Sequence, residues 1–295
     1  MKYNTLGKSD IEVSEISFGC MSLELEKGQQ AATSLIRKAY DSGINFFDTA
    51  DLYDQGLNEE MVGTALNPIR SEVKIATKVG NVWKDDGSGW DWNPTKEHIL
   101  TEVNESLRRL QTDYIDLYML HGGTIEDPID DIIEAFEKLK KHGKIRAYGI
   151  SSIRPNTIRE YVERSNMDVV MMQYSLLDRR SEEESLDLLS ENDISVITRG
   201  TLAKGLLIDK EPAEYLDYSK EDVHSIQKAA NETENAISAS VQFVLEHPAV
   251  ASSVLGIRTE QQLDEILKAH KTSISSKEIE SVKQVLAPNK YTNHL

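Results

Sequence analysis

Short apolar runs rich in Val, Ile and Phe alternate along this chain with longer stretches in which apolar residues recur every three to four positions. The first pattern is that of buried strands and the second that of amphipathic helices. Strands are predicted over 16–20, 45–49, 73–78, 114–121, 145–151, 169–174, 194–198 and 251–255. Helices are predicted over 29–42, 58–66, 96–110, 129–142, 156–165, 182–192 and 235–246, with another starting near Glu260. Eight such units in succession close most naturally into an α/β fold, the (β/α)8 TIM barrel, because each right-handed crossover adds its strand in the same direction. An open doubly wound sheet is the alternative, but no Gly-x-Gly-x-x-Gly turn follows the first strand. Residues 3–6 and 11–13 flank Gly7 to Asp10 and read as an N-terminal β-hairpin able to plug the barrel bottom. An extra C-terminal helix is expected over 277–286, and with no Pro/Gly/Ser-rich linker residues 1–295 read as one domain.

Composition narrows the class. No stretch approaches the ~18 uninterrupted apolar residues of a membrane span, so a soluble protein is expected. No secretory signal is legible at Met1 to Asp10, and a lone cysteine, Cys20, agrees with a reducing cytosol, so the expected location is cytoplasmic. A formal net charge of −17 disfavours nucleic acid and anionic membranes as partners. The same charge means that any polyanionic ligand needs a few local cations. Oligomeric state cannot be read from these features.

In a barrel of this kind the site is built at the carboxyl ends of the strands. Asp48 ends the second predicted strand with Tyr53 just beyond it, Lys78 ends the third and His121 ends the fourth. A tyrosine of ordinary pKa ~10 is a poor acid–base group at neutral pH, and a nearby ammonium lowers that value. Lys78 is the expected ammonium, Asp48 the carboxylate that keeps it charged, and His121 a hydrogen-bonding partner for a substrate oxygen. Singly each has an ordinary structural explanation, as a turn cap, a solvated strand end or a satisfied buried histidine. Three adjacent strand ends make the joint coincidence a site.

The run Gly43-Ile44-Asn45-Phe46-Phe47-Asp48-Thr49-Ala50, with Tyr53 and Asn58-Glu59-Glu60-Met61-Val62-Gly63, resembles the first signature of the aldo-keto reductase family. Ala76-Thr77-Lys78, Asp113-Tyr114-Ile115-Asp116-Leu117, Leu120-His121 and Gly149-Ile150-Ser151 fall where that family places later motifs. The likeness covers essentially the whole chain and is strongest to bacterial reductases of the group that includes potassium-channel β-subunits. It implies that Asp48, Tyr53, Lys78 and His121 are the catalytic tetrad of an NADP(H)-dependent oxidoreductase, with hydride passing to an aldehyde or ketone carbonyl and Tyr53 as general acid.

The resemblance also implies NADP(H), with NAD(H) less favoured, extended across the barrel top. Ser151 and Gln173 match the pair that holds the nicotinamide carboxamide. Gly19, Cys20 and Met21 match the segment beside the nicotinamide ribose. The stretch from Thr198 to Leu207, including Arg199, Gly200, Thr201, Leu202, Lys204 and Gly205, matches the pyrophosphate segment. Gly256, Arg258 and Gln262 match the adenosine end, with Arg258 the natural partner of a 2′-phosphate. Departures are Arg199 where an aromatic residue is frequent, Ser152 for an asparagine, and Ile266 where an adenine-contacting asparagine is common.

Trp83, Trp90 and Trp92, in the long segment after the third strand, are candidates for an apolar substrate pocket or for packing that segment on itself. Tyr215 and Tyr218 are candidates for a lid over the cofactor. His224, His247 and His270 have no partners at ligand spacing, so no metal site is expected. A rival function is an NADP(H)-binding redox-sensing regulatory protein with slow turnover. A metal-dependent barrel hydrolase is disfavoured, because no His-x-His or clustered carboxylate set ends the strands. The carbonyl substrate itself is not legible.

Overall fold

The computed structural model describes residues 1–295. A hairpin of β1 (Tyr3–Thr5) and β2 (Glu12–Ser14) precedes the barrel strands β3 (Ile16–Gly19), β4 (Phe46–Asp48) and β5 (Lys74–Val79). A second hairpin, β6 (Asn81–Trp83) and β7 (Trp90–Trp92), leads to β8 (Ile115–Leu120), β9 (Ile145–Ser151), β10 (Val169–Gln173), β11 (Ser195–Arg199) and β12 (Val250–Gly256). The eight barrel strands close in the order β10-β11-β12-β3-β4-β5-β8-β9, every neighbour parallel. Outside them run α1 (Gly28–Asp41), α2 (Leu57–Leu66), α3 (Lys96–Leu110), α4 (Ile129–Lys141), α5 (Pro155–Arg164), α6 (Ser185–Glu191), α7 (Lys220–Glu232), α8 (Ala236–Leu245), α9 (Glu260–Lys271) and α10 (Ser276–Lys283). The fold is thus the expected (β/α)8 barrel with its hairpin and extra helix, and no helix is long and apolar enough to cross a membrane.

Two apolar shells divide the side chains by strand parity. Phe46, Ala76, Leu117, Met119, Ala147, Val169, Met171 and Ile197 fill the barrel interior, while Phe47, Ile75, Tyr118, Leu120, Ile150, Val170, Met172 and Val196 face the helices. Leu6, Ile11 and Val13 of the N-terminal hairpin join the inner cluster, which closes the bottom of the barrel. Asn45 locks that plug in place, accepting from the Ser14 N–H at 2.8 Å and donating to the Glu12 carbonyl at 3.0 Å. Successive strand residues face opposite sides. Asp48 therefore faces inward two residues after Phe46, Lys78 two after Ala76, and His121 two after Met119. By the same count Ser151, Gln173 and Arg199 lie above Ala147, Met171 and Ile197.

Three elements depart from the sequence reading. The segment after β5 is a hairpin rather than a loop, with Trp83 paired to Trp90 and Asn81 to Trp92 around the Asp85-Asp86-Gly87 turn. An unanticipated helix, α7, starts at a capping box in which Ser219 and Asp222 satisfy each other's backbone N–H groups. The last helix is shorter than expected, starting at a similar box, Ser275 with Glu278, and ending at Lys283.

Candidate active site

Lys78, 1% exposed, has no escape to solvent and must be satisfied inside the barrel. Its Nζ donates to Asp48 Oδ1 at 2.7 Å and to the Thr49 carbonyl at 2.8 Å, and reaches the Tyr53 hydroxyl at 3.5 Å. Burial pulls the ammonium's pKa down, but the Asp48 charge and Tyr53 more than offset it, and the net direction is upward. Lys78 is therefore a fixed cation held against the phenol. For Tyr53 burial raises the pKa and outweighs the lowering pull of Lys78. This corrects the expectation of a lowered phenol: the ammonium acts in the expected direction, but desolvation is larger. Tyr53 is protonated at neutral pH.

His121 meets Tyr53 edge-on, ring centroids 5.8 Å apart. Burial first, then the Lys78 and Arg199 charges, depress its pKa from 6.5 to about 3. The imidazole is neutral, with Nδ1 buried and unpartnered. The centre thus presents a phenol, an ammonium–carboxylate pair and a neutral imidazole around one position at the barrel mouth. Such a set can donate a proton to an oxygen and hold that oxygen as charge grows on it.

Tyr53 does not lie on a barrel strand, so its placement needs other supports. Asp54 and Gln55, with φ of 50° and 56°, and Gly56 at 87° form three successive left-handed residues that turn the chain sharply into α2. Asn58, in the first turn of α2, accepts from Thr49 Oγ1 at 2.7 Å and donates to the Cys20 carbonyl at 2.9 Å. Glu59, fully buried, accepts from Thr77 Oγ1 and from Arg109 Nε, both at 2.6 Å, tying α2 to β5 and α3. From above, Trp83 Nε1 donates to the Leu52 carbonyl at 3.0 Å, one residue before Tyr53. The supporting roles of Asn58, Glu59, Arg109 and Trp83 escape a one-dimensional reading. Asn58 and Glu59 stand in the signature run and Trp83 among the pocket candidates, but nothing in the sequence points to the bonds they make or to Arg109.

The tryptophans separate. Trp83 stacks edge-on against Trp90 at 5.7 Å, and Trp90 is exposed. Trp92 instead anchors the hairpin: its Nε1 donates to Asp127 Oδ1 at 2.9 Å and its ring lies over Gly80, whose φ is +124° and where a Cβ would meet the ring at 2.6 Å. The Trp92 ring also lies beside Gly122, the residue after His121, so all three tryptophans remain wall candidates.

Along the rim, Gln173 donates from Nε2 to Tyr215 Oη at 2.7 Å and accepts at Oε1 from Arg199 Nη1 at 3.3 Å. Gly200, Thr201 and Leu202 follow β11 with backbone N–H groups that have no acceptor within the chain. Three consecutive free donors suit an anion. The Thr201 hydroxyl points inward, bonded to Thr198 and Ser253, so only its backbone is on offer. Lys204 and Arg258 are exposed and form no ion pair, and Gln262 Oε1 accepts from the Arg258 N–H at 2.9 Å. Gly19 and Cys20 are buried, the Cys20 thiol turning inward, whereas Met21 is 64% exposed. Ile266 belongs to the core, and Tyr218 is buried, with its hydroxyl donating to the Ala287 carbonyl of the C-terminal tail rather than facing the mouth.

Three kinds of similarity place this arrangement. A solved structure, the holo form of aldo-keto reductase AKR11C1 from Bacillus halodurans, superposes with a TM-score of 0.95 at 44% identity, covering 100% of this chain and 99% of that one. Its apo form gives 0.88 at 42% identity. The oxidoreductase YqkF of Bacillus subtilis is 48% identical over 100% of this chain and 99% of its own length. The NADH-specific methylglyoxal reductase of Escherichia coli is 35% identical over 73% of this chain and 72% of its own. With residues 15–287 matching the model of the Aldo/keto reductase family, the chain belongs to that family of oxidoreductases.

Proposed function

We propose that this protein reduces aldehyde or ketone carbonyls to alcohols with a reduced nicotinamide dinucleotide, Tyr53 acting as general acid. The observation that carries this reading is the contact of the buried Lys78 ammonium with both Asp48, at 2.7 Å, and the Tyr53 hydroxyl, at 3.5 Å. A bound reduced nicotinamide supplies the hydride. His121 Nε2 and the Tyr53 hydroxyl hold the carbonyl oxygen, and Tyr53 gives it a proton as negative charge develops. Lys78 stabilises the phenolate that remains, and Asp48 keeps Lys78 charged. Positioned proton transfer of this kind contributes ~10²- to 10⁴-fold.

Ser151 and Gln173 would hold the nicotinamide end, with Gly19, Cys20 and Met21 beside it and Arg199 at the ring's edge of the rim. The free N–H groups of Gly200, Thr201 and Leu202, with Lys204 and Gly205, would hold the pyrophosphate. Gly256, Arg258 and Gln262 would take the adenosine end. The preference for NADP(H) over NAD(H) rests on Arg258, an exposed guanidinium with no carboxylate partner in a chain of net charge −17. Trp83, Trp90 and Trp92 would form one wall of the substrate pocket. Because a relative is named a methylglyoxal reductase, α-dicarbonyls head the substrates to try, followed by simple aldehydes and ketones.

The test is Tyr53→Phe, which removes the proton donor alone. Carbonyl reduction should fall at least 10²-fold while dinucleotide affinity by fluorescence titration stays within about twofold. Undiminished turnover by the pure variant would remove Tyr53 from its role.

A further inference from the structure

Counting formal charges around the reaction centre leaves one that nothing cancels. Asp48 and Lys78 neutralise each other at 2.7 Å, Tyr53 keeps its proton, and His121 is neutral. Arg199 closes β11 on the inward-facing side, two residues after the inner-core Ile197, and forms no ion pair. Its Nη1 donates to Gln173 Oε1 at 3.3 Å, and Gln173 Nε2 donates onward to Tyr215. The guanidinium is thereby held at the rim by a neutral amide, which positions it without reducing its charge. That charge reaches the centre: after burial and Lys78, Arg199 contributes a downward pull at Asp48, Tyr53 and His121 alike.

From this uncompensated cation we propose that Arg199 makes the site select the reduced dinucleotide over the oxidised one. The proposal rests on the cofactor reading above and deepens it. When the C4–H bond breaks, its electron pair leaves with the hydride for the carbonyl carbon. The C=O π pair moves to oxygen, which takes the Tyr53 proton, and the nicotinamide ring is left with a positive charge. Before that step the ring is neutral and indifferent to Arg199; after it, two like charges share the rim. The phosphates are the same in both forms, so every contact made to them cancels from the affinity ratio. What remains is the interaction between the ring's charge and the net charge of the centre. Across a partly hydrated rim, one elementary charge on each side at contact range corresponds to about tenfold in binding. The used cofactor is thereby exchanged for fresh more readily, while the overall equilibrium between carbonyl and alcohol is unchanged.

The experiment is a titration of NADPH and of NADP⁺, followed by intrinsic tryptophan fluorescence, into the wild type, Arg199→Gln, Arg199→Met and Arg199→Lys. The wild type should bind NADPH more tightly, both neutral variants should narrow the NADP⁺/NADPH dissociation-constant ratio about tenfold, and the lysine variant should keep most of it. An unchanged ratio in the two neutral variants overturns the proposal. So does an equal narrowing in Arg199→Lys, since the effect would then follow the guanidinium's shape and not its charge. If neither form binds the wild type, the cofactor reading fails instead, and the two failures are told apart in the same titration. Arg199 is exposed, so none of the substitutions opens the core.

Discussion

His121 concentrates the electrostatics of the site in one side chain. It is nearly enclosed, it faces the Lys78 ammonium and the Arg199 guanidinium, and its pKa is depressed to about 3. A catalytic histidine of ordinary pKa would switch charge near pH 6.5 and leave an acid limb there in the rate profile. Here the carbonyl-reduction profile should be flat from pH 7 down to about 5. The same depression has a stability consequence. A group whose folded pKa lies below its unfolded value contributes stability above the unfolded value, and that contribution is lost as pH falls from about 6.5 towards 3. His121→Gln should therefore lose less stability than the wild type over that window. Urea denaturation at pH 7, 5 and 4 checks it; parallel losses in the two proteins would show that the imidazole is not the group being charged. Lys78 and Tyr53 illustrate the opposite balance, in which burial and a partner's charge leave an ammonium and a phenol both protonated.

At the scale of elements, the hairpin of β6 and β7 does more than cover the barrel mouth. Trp92 pins it to Asp127 at one end, and Trp83 pins it to the Leu52 carbonyl at the other. The second bond holds the backbone immediately before Tyr53, the proposed general acid, in a segment that otherwise depends on three left-handed residues and the first turn of α2. Trp83→Phe keeps the ring and deletes the donor. A neutral hydrogen bond is worth ~0.5–1.5 kcal/mol, so if that bond aligns Tyr53, kcat should drop about 2- to 12-fold with cofactor affinity unchanged. Trp92→Phe removes the bond to the Asp127 carboxylate at the far end and should leave kcat close to the wild type. Equal effects of the two substitutions on kcat would mean that the hairpin acts only as a cover.

Over the whole molecule, a chain of net charge −17 repels the polyanionic cofactor that its rim is proposed to hold, and a few cations must overcome that field. On the cofactor reading proposed above, Arg258 is the cation that would meet the 2′-phosphate. Arg258→Ala should weaken NADPH binding about 10- to 150-fold, the equivalent of a charge-assisted hydrogen bond of ~1.5–3 kcal/mol, and NADH binding by far less. Titration of both cofactors decides this. Matching losses for the two would place the discrimination elsewhere and would bring the protein closer to its NADH-specific relative from Escherichia coli.

What the linear sequence determines here is whatever repeats or is local. Apolar periodicity separates strands from helices, eight such units make a barrel, and strand parity turns Asp48, Lys78 and His121 inward at neighbouring strand ends. The second hairpin and α7 were missed although local signals existed, the Asp86-Gly87 turn between aromatic runs and the Ser219/Asp222 cap, because both lie in segments without a sustained apolar period. Net shifts of charge and the supports of the site belong to the tertiary structure. Whether Lys78 lowers the Tyr53 pKa depends on how completely the barrel excludes water, and the desolvation of the phenol outweighs the attraction. The sequence puts Arg109 fifty positions from Glu59 and Trp83 thirty-one from Leu52. Packing alone brings them together, since a hydrogen bond is made by distance and direction in space, which no spacing along the chain encodes.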